Sequence, residues 1–189
     1  MSSFDADFVT ARLERSASVI AGVREQAQAI VTVAETIRSA LDAGGTIYTC
    51  GNGGSAAEAM HLAEELIGRY KLDRPPRAGV CLCADSTAIT CIANDFTFDR
   101  VFARQIDALG RSGDVLVALS TSGRSRNITL ALEMARVRGV TTIGLLGKGG
   151  GPAAELCDHA LVIDSQETEH IQEAHLAVIH LILEAVEGA

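Results

Sequence analysis

A histidine and a glutamate stand one helical turn apart in the segment GNGGSAAEAMHLAEEL, residues 51–66. Because His61 and Glu65 are four positions apart, both side chains project from one face of the predicted helix. An imidazole and a carboxylate can move protons as a general acid and a general base, and both are ligands that zinc accepts. A single pair at this spacing is more often a surface contact, so its meaning depends on what approaches it from elsewhere in the chain.

A second imidazole falls in the last predicted helix. Residues 176–183 read LAVIHLIL, so His180 is the one polar residue in an apolar run. A helix that is apolar on all sides is buried, and a buried imidazole needs a polar partner. That partner is either a main-chain carbonyl group or the pair formed by His61 and Glu65. His175, five positions before His180, is expected to make an ordinary polar contact elsewhere.

Two loops rich in glycine and serine precede predicted helices and are candidates for anion binding. The first, GNGGSA at 51–56, fits the G-x-G-x-x-A pattern of dinucleotide-binding loops, but no acidic residue follows at the spacing that would hold a ribose. The second, STSGRS at 120–125, offers hydroxyl groups and the charge of Arg124, which suit a phosphate monoester. It is not a Walker loop, and GKGGG at 147–151 fails the same test. Two such loops favour a small phosphorylated ligand over an extended nucleotide.

Ser55 has two interpretations that remain open. Ser55 and Glu58 form S-x-x-E, the pattern of a capping box that closes the start of a helix. A serine at a helix N-terminus also suits an anionic ligand. Because the two roles can coexist, Ser55 is counted among the candidate substrate-binding residues.

The composition bounds the class of protein. The chain has 189 residues, 48% of them hydrophobic, which suits one domain with a full core. The formal net charge is -8 and tryptophan is absent, so neither a basic face for duplex nucleic acid nor an aromatic platform for single strands is expected. No segment reaches the ~20 apolar residues that a membrane-spanning helix needs. Five cysteines, an odd number without an N-terminal signal sequence, favour reduced thiols in the cytoplasm.

The order of predicted elements indicates an α/β fold. Residues 4–42 are predicted to be helical, in one piece or two, and strands then alternate with helices. The predicted strands are TIYTC, GVCLC, DVLVALS, VTTIGLLG and HALVID. This alternation implies three layers, with a parallel sheet between helices and with ligands bound beyond the carboxyl ends of the strands. The first helical segment lies outside the alternation, so it is either an oligomer interface or a cover for the sheet within the chain.

Four segments carry a resemblance to a known family. They are CGNGGSAAEAMHLAEELIGRY, IANDFTFDRVFARQ, GDVLVALSTSGRS and IQEAHLAVIH. Through them nearly the whole chain resembles the phosphoheptose isomerases of the sugar isomerase (SIS) domain superfamily. The resemblance implies a single SIS domain over residues 1–189, with a flavodoxin-like five-stranded parallel sheet and the helical segment 4–42 as an oligomer interface. It also implies a homotetramer with active sites between subunits.

The implied reaction converts sedoheptulose 7-phosphate to D-glycero-D-manno-heptose 7-phosphate through an enediol, without a nucleotide. The resemblance assigns the acid and base roles to Glu65 and His180. In family members that carry zinc, the ligands match His61, Glu65, Gln172 and His180. The implied substrate contacts are Asn52, Gly53, Gly54, Glu65, Asn94, Asp95, Ser120, Thr121, Ser122, Ser125 and Gln172.

The implied zinc site raises a question of distance. Along an unbroken helix Gln172 and His180 would be about 12 Å apart. A shared ion therefore requires long side chains that lean together, an irregular helix, or ligands from two subunits.

Some positions depart from the common forms of the family. Arg124 stands where asparagine is frequent, His170 stands where arginine is usual, and the position of Glu169 varies. A protein of a different class, which binds the bacterial replication initiator, shares the fold and both loops but lacks the acid/base pair. Because this chain keeps Glu65 and His180, an enzyme is favoured over a binding module.

Overall fold

The computed structural model describes residues 4–188, so residues 1–3 and 189 of the predicted domain lie outside the described part. The strands in this range are β1 (Ile47–Cys50), β2 (Gly79–Cys81), β3 (Val115–Ser120), β4 (Thr141–Gly147) and β5 (His159–Ile163). The helices are α1 (Ala6–Gly22), α2 (Ala27–Asp42), α3 (Gly54–Ile67), α4 (Ser86–Asp95), α5 (Ala103–Leu109), α6 (Arg126–Arg138), α7 (Gly151–Leu156) and α8 (Thr168–Val186). Short 3₁₀ turns, Val23–Gln26 and Phe98–Arg100, precede α2 and α5.

The five strands form one parallel sheet in the order β2-β1-β3-β4-β5. After β1 the chain adds β2 on one side of it, and then β3, β4 and β5 in turn on the other side, so the strand order reverses between β1 and β3. In flavodoxin-like sheets the ligand binds at this switch point, beyond the carboxyl ends of the strands. The predicted α/β fold with a flavodoxin-like parallel sheet is confirmed.

Helices cover both faces of the sheet. Successive side chains of a strand point to opposite faces, and β3 shows this directly. Val115, Val117 and Leu119 pack with α2, α3 and α8, whereas Leu116 and Ala118 pack with α5 and α6. Every residue of β3 is buried, which explains its continuous apolar sequence. The predicted three-layer arrangement is therefore confirmed.

The N-terminal helical segment divides into two parts with different surroundings. Helix α2 buries Ile30, Val33 and Ile37 in the core beside the sheet, so it is a cover within the chain. Helix α1 buries no residue. It lies against α8 and is held there by ion pairs such as that between Arg12 and Glu167, 3.0 Å apart. Helix α2 thus covers the sheet within the chain, and the role of the segment as an oligomer interface stays a prediction.

The start of α3 differs from the predicted capping box. Gly53, with a φ of +58°, is the N-cap, and no side chain caps the helix. The amide of Ser55 donates to the carbonyl of Asn52 and not to Glu58, so the box is not formed. Ser55 is instead buried in the first turn. Both carboxylate oxygens of Glu58 are buried, and this burial raises the pKa of Glu58 to about 7.

The loops after β3 and β4 touch each other backbone to backbone. A Cβ atom on Gly123, whose φ is +61°, would lie 1.8 Å from the carbonyl oxygen of Gly150. A Cβ atom on Gly147 would lie 2.8 Å from the carbonyl oxygen of Thr121. Only glycine permits these approaches, so the sequence fixes how closely the two loops meet at the carboxyl edge of the sheet.

Candidate active site

A cavity of roughly 200 Å³ opens where the loops after β1 and β3 meet the first turns of α8. Its lining combines main-chain groups, hydroxyl groups and two amide side chains. Apart from Leu119 and Thr168, all lining residues are predicted substrate contacts. The residues that line the cavity are Asn52, Gly54, Ser55, Leu119, Ser120, Thr121, Ser122, Ser125, Thr168 and Gln172.

Three helices point their N-termini at this cavity. Gly54 is the first residue of α3, Ser125 is the N-cap of α6, and Thr168 is the first residue of α8. At none of these three described helix starts does a side chain cap the helix by a hydrogen bond. The first turn of a helix carries free N–H groups and a partial positive charge, so its N-terminus favours an anion. Three such ends on one small cavity suit a phosphate group.

The hydroxyl groups of the second loop are oriented by the loop itself. Ser120 Oγ accepts a hydrogen bond from the amide of Gly123 at 3.0 Å, and Ser122 Oγ accepts from the amide of Arg124 at 3.2 Å. Each hydroxyl therefore keeps its own hydrogen to donate to a ligand. The side chain of Arg124 is exposed and does not line the cavity, so the charge expected from it is not supplied there.

Two amide side chains hold the first loop in place. Asn52 and Asn127 exchange hydrogen bonds of 3.0 and 2.8 Å, so the loop after β1 is tied to the first turn of α6. Gln172 lies directly over Gly54, where a Cβ atom would be 2.4 Å from the amide nitrogen of Gln172. Glycine at this position thus allows the amide to reach the cavity.

Four predicted substrate contacts do not line the cavity in the described part of this chain, and one of them, Glu65, lies near His61 instead. Gly53 belongs to the first loop but does not line the cavity. Asn94 and Asp95 end α4 with exposed side chains, and the amide of Asn94 donates to Asp95 at 2.8 Å. For these residues the role as a substrate contact stays a prediction.

The positions that depart from the family pattern near α8 serve the packing of α1. His170 is buried, with Nδ1 3.0 Å from Glu173 and Nε2 3.2 Å from Glu167. Glu169 forms an ion pair with Arg12. Neither His170 nor Glu169 lines the cavity.

The histidines predicted on α3 and α8 meet. His61 Nε2 lies 3.2 Å from His180 Nε2, and the rings pack edge to face. On its other side, His61 Nδ1 lies 3.1 Å from Glu64 and 3.9 Å from Glu65. The side chain of Glu65 is 16% exposed, compared with 64% for that of Glu64. A carboxylate and two imidazoles are therefore grouped on one side of the α3–α8 pair.

The surroundings of His180 keep its imidazole neutral. Partial burial lowers the pKa of His180, and the neighbouring His61 lowers it further. Because the ordinary pKa of histidine is about 6.5, a downward shift leaves the ring uncharged at neutral pH. A neutral imidazole has one donor nitrogen and one acceptor nitrogen, which is what a proton shuttle or a metal ligand needs.

The cavity and the histidine cluster are separated along two neighbouring helices. On α3 the distance from Gly54 to His61 is seven residues, or about 10 Å of helical rise. On α8 the distance from Gln172 to His180 is eight residues, or about 12 Å. In an open-chain heptose 7-phosphate, about eight single bonds of ~1.5 Å join C1 to the phosphorus, and because the extended chain zigzags, its ends are roughly 10 Å apart. The spacing therefore matches the length of such a sugar.

Several residues that the sequence did not single out support the cluster. Tyr70 stacks on the ring of His180, with centroids 5.4 Å apart. Arg74 donates to the carbonyl groups of Glu65 and Leu66 at the end of α3, and its Nε lies 3.4 Å from Glu187 after α8. These contacts fix the ends of α3 and α8 relative to each other. Local sequence patterns gave no signal for the Tyr70–His180 and Arg74–Glu187 contacts, because each joins residues more than a hundred positions apart.

The donor atoms fit a metal such as zinc. His61, Glu64 and Glu65 can each bring one donor atom to within 4.8 Å of the others. The 3.2 Å between the two histidine nitrogens is close to the ~3.3 Å edge of a tetrahedron with Zn–N bonds of about 2.0 Å. Helix α8 is unbroken, and Gln172 lies at the cavity. An irregular helix was one of three ways in which Gln172 and His180 could share an ion, and the unbroken α8 excludes it.

Helix α8 buries His175 fully, whereas His180 on the same helix is not fully buried. Leu176 and Leu181 are 37% and 48% exposed, so α8 is not buried on all sides, and His180 is half-buried. His175 is fully buried, and its Nε2 donates to the carbonyl of Leu146 at 3.1 Å. One alternative for His180 was a core histidine bonded to a carbonyl group. His175, five residues earlier, takes that role instead.

Known proteins resemble the chain in sequence and in fold. A family model described as SIS domain matches residues 13–147. A phosphoheptose isomerase of Rhodospirillum rubrum is 46% identical over 183 residues, which are 97% of each chain. The structure of a phosphoheptose isomerase from Neisseria gonorrhoeae superposes with a TM-score of 0.91 at 37% identity, over 97% of this chain and 98% of that one. A phosphoheptose isomerase from Francisella tularensis gives 0.94 at 30% identity over the whole of both chains.

The buried His175 predicts a dependence of stability on pH. Burial lowers the pKa of His175 from 6.5 to about 4. Between these values the unfolded chain binds a proton at this position and the folded chain does not, so stability falls as the pH is lowered from about 6.5 to about 4. Roughly 3 kcal/mol of unfolding free energy should be lost over this range.

The measurement is the difference in unfolding free energy, from urea titrations at neutral and acidic pH, between the wild type and His175→Gln. The glutamine amide can still donate to the carbonyl of Leu146 but does not titrate, so its stability should lack this part of the slope. The control His159→Gln, at a half-exposed site on β5, should keep the slope. Equal slopes in wild type and His175→Gln would contradict the assignment.

Proposed function

The chain belongs to the phosphoheptose isomerases of the SIS domain family, and from this premise we propose that its site interconverts sedoheptulose 7-phosphate and D-glycero-D-manno-heptose 7-phosphate. The protein is an aldose–ketose isomerase, and the reaction is the first step towards activated heptose. We further propose that the chain acts as one SIS domain. The observation that carries the assignment of the site is the pairing of an anion-binding cavity with a carboxylate–imidazole cluster one sugar length away.

The phosphate end of the substrate is held at the cavity. The helix N-termini that begin at Gly54 and Thr168, the N-cap Ser125 and the free hydroxyl hydrogens of Ser120 and Ser122 surround the phosphate oxygens. Anchoring at this end lets the open chain extend along α3 and α8 towards the histidines. Holding the reacting carbons in place lowers the entropic part of the barrier.

The reaction moves a proton between two neighbouring carbons. Glu65 removes a proton from C1, and the C2 carbonyl oxygen gains a proton from His180, which gives the 1,2-enediol. When Glu65 returns its proton to C2 and the hydroxyl on C1 loses its proton to His180, the aldehyde forms and both residues regain their starting states. The neutral state of His180 suits this exchange, because one ring nitrogen can accept while the other donates.

Zinc is a further part of the proposal. His61, Glu65 and His180 would hold the ion, and the support is that His180 lies 3.2 Å from one ring nitrogen of His61 and Glu65 lies 3.9 Å from the other. Gln172, the fourth predicted ligand, would have to lean from the cavity or come from a second subunit. When bound, zinc supplies Lewis acidity that can polarise a carbonyl oxygen. Ligation also makes Glu65 and His180 poorer proton carriers, so the ion either orders the site or restrains its turnover.

We propose a homotetramer with active sites between subunits. The support is the apolar surface that the described chain leaves uncovered, including Leu13 on α1 and a groove of roughly 730 Å³ between the N-terminal helices and α8. Asn94 and Asp95 are exposed in the single chain and would reach the substrate across a subunit boundary. A sugar phosphate remains the expected partner, and nucleic acid, membrane and nucleotide are not expected.

The cytoplasm is the proposed location. All five cysteines are free thiols, and Cys91 is exposed, which suits a reducing compartment. Among residues 4–188 no helix combines the length and the apolar character needed to cross a membrane.

Native mass spectrometry of protein prepared without chelator tests the assembly and the metal together. The expected mass is that of four chains with bound zinc. The variant His61→Ala should lose the zinc and keep the mass of four chains, because the ligand set is incomplete while the exposed α1 surface is unchanged. A mass of one chain would contradict the tetramer, and four chains without zinc after growth with zinc would contradict the metal site.

The variant Glu65→Gln tests the base. Its kcat for sedoheptulose 7-phosphate should fall by about 10²–10⁴, because the amide cannot accept the C1 proton, while KM changes by no more than a few-fold. The control Glu155→Gln, at an exposed position on α7, should keep the wild-type rate. Product formation is followed by chromatography of the sugar phosphates.

A wild-type rate for Glu65→Gln would remove Glu65 from the role of base. A wild-type protein that binds the sugar phosphate without converting it would instead favour the binding-module alternative. A change in NADH fluorescence on mixing would reopen the dinucleotide alternative for the first loop.

A further inference from the structure

Lys148 has a backbone conformation that is costly for a lysine. It follows β4 with a φ of +50°, and among residues 4–188 it is the one non-glycine residue with positive φ. Side chains other than glycine, asparagine and aspartate seldom occupy this region. Such strain persists when the surrounding structure imposes it, and it is concentrated at functional sites. The next three residues are glycines, which adopt a positive φ without strain, whereas position 148 holds a lysine.

The strained backbone at Lys148 places the ammonium group of this residue at the wall of the cavity. Lys148 Nζ donates to Thr168 Oγ1 at 3.1 Å, and Thr168 lines the cavity as the first residue of α8. Strand pairing sets Ser120 opposite Leu146, so Lys148 stands just beyond the sheet edge at the level of Ser122. The close backbone contacts of Gly147 with Thr121 and of Gly150 with Gly123 hold the loop that carries Lys148 against the loop after β3.

The cavity lacks a full positive charge of its own. All of its lining side chains are neutral, and the side chain of Arg124 is exposed outside it. A phosphate monoester carries close to two negative charges at neutral pH. An ammonium group has three N–H donors, so one bond to Thr168 leaves two for a ligand.

We propose that Lys148 is a substrate-binding residue whose ammonium group pairs with the phosphate of the sugar. This inference deepens the proposed function and rests on it, because the phosphate must occupy this cavity. Lys148 binds the phosphate end and takes no part in the proton transfer, so it affects the affinity for substrate and the salt dependence of binding. The competing interpretation is that Lys148 only ties the first turn of α8 to the loop after β4.

The variant Lys148→Gly separates these interpretations, because glycine relieves the backbone strain and removes the charge. If Lys148 binds phosphate, the dissociation constant for inorganic phosphate, measured by calorimetry, rises roughly tenfold or more. The salt dependence of binding weakens, and the thermal midpoint stays equal or rises. The conservative variant Lys148→Arg keeps the charge and should bind phosphate within about threefold of wild type. The control Arg136→Gln removes one exposed charge from α6 and should match the wild type.

Phosphate binding by Lys148→Gly within twofold of wild type would overturn the proposal, as would a wild type that does not bind phosphate at all. Turnover is measured separately, with KM for sedoheptulose 7-phosphate expected to rise roughly tenfold in Lys148→Gly and kcat expected to stay within about threefold. If phosphate binding falls in Lys148→Gly while the wild type converts no sugar, only the proposed function fails.

Discussion

The parallel order of the sheet is the constraint on which the site depends. When all strands run in one direction, every carboxyl end and the start of every following helix lie at the same edge. The cavity forms there because the helices that follow β1, β3 and β5 begin around it, at Gly54, at Arg126 and at Thr168. The free N–H groups of these helices supply positive potential without a charged side chain. A neutral lining can thus receive an anion.

In the proposed function, helices α3 and α8 make this cavity part of a site for a chain of defined length. Each helix contributes to the cavity at its N-terminus and to the histidine cluster two turns later. A helix is a rigid spacer, so the distance between phosphate and reacting carbons is set by residue count. The contacts of Arg74 with the end of α3 and with Glu187 preserve the alignment of the two helices. Precise placement of this kind matters for proton transfer, where small displacements cost rate.

Much of the fold followed from local patterns. The buried run of β3 and the glycine and serine residues at the strand ends predicted both the sheet and the edge at which the cavity lies. The meeting of His61 with His180 was one of two open alternatives, because the apolar residues around His180 gave no indication of which neighbour it would face. His175 and His180 differ in burial although both sit in apolar sequence, since helix phase and packing on the sheet decide exposure.

Other features depend on contacts that local sequence does not encode. Asn127 holds Asn52 across 75 positions, and Tyr70 stacks on His180 across more than a hundred. The capping box failed because a glycine with positive φ took the N-cap position ahead of Ser55. The sequence pattern assigned no role to Lys148, because its loop fails the Walker pattern. Its nearness to the cavity comes from the pairing of β3 with β4.

The proposed function requires that an anchored phosphate holds the distant carbonyl end of the sugar at Glu65 and His180. The most direct test compares kcat/KM for sedoheptulose 7-phosphate with kcat/KM for sedoheptulose, which lacks the phosphate. Binding energy from a remote group is used at the reacting carbons, so loss of the phosphate should lower kcat as well as affinity. We expect kcat/KM to fall on the order of a thousandfold or more. Similar values for the two sugars would contradict it.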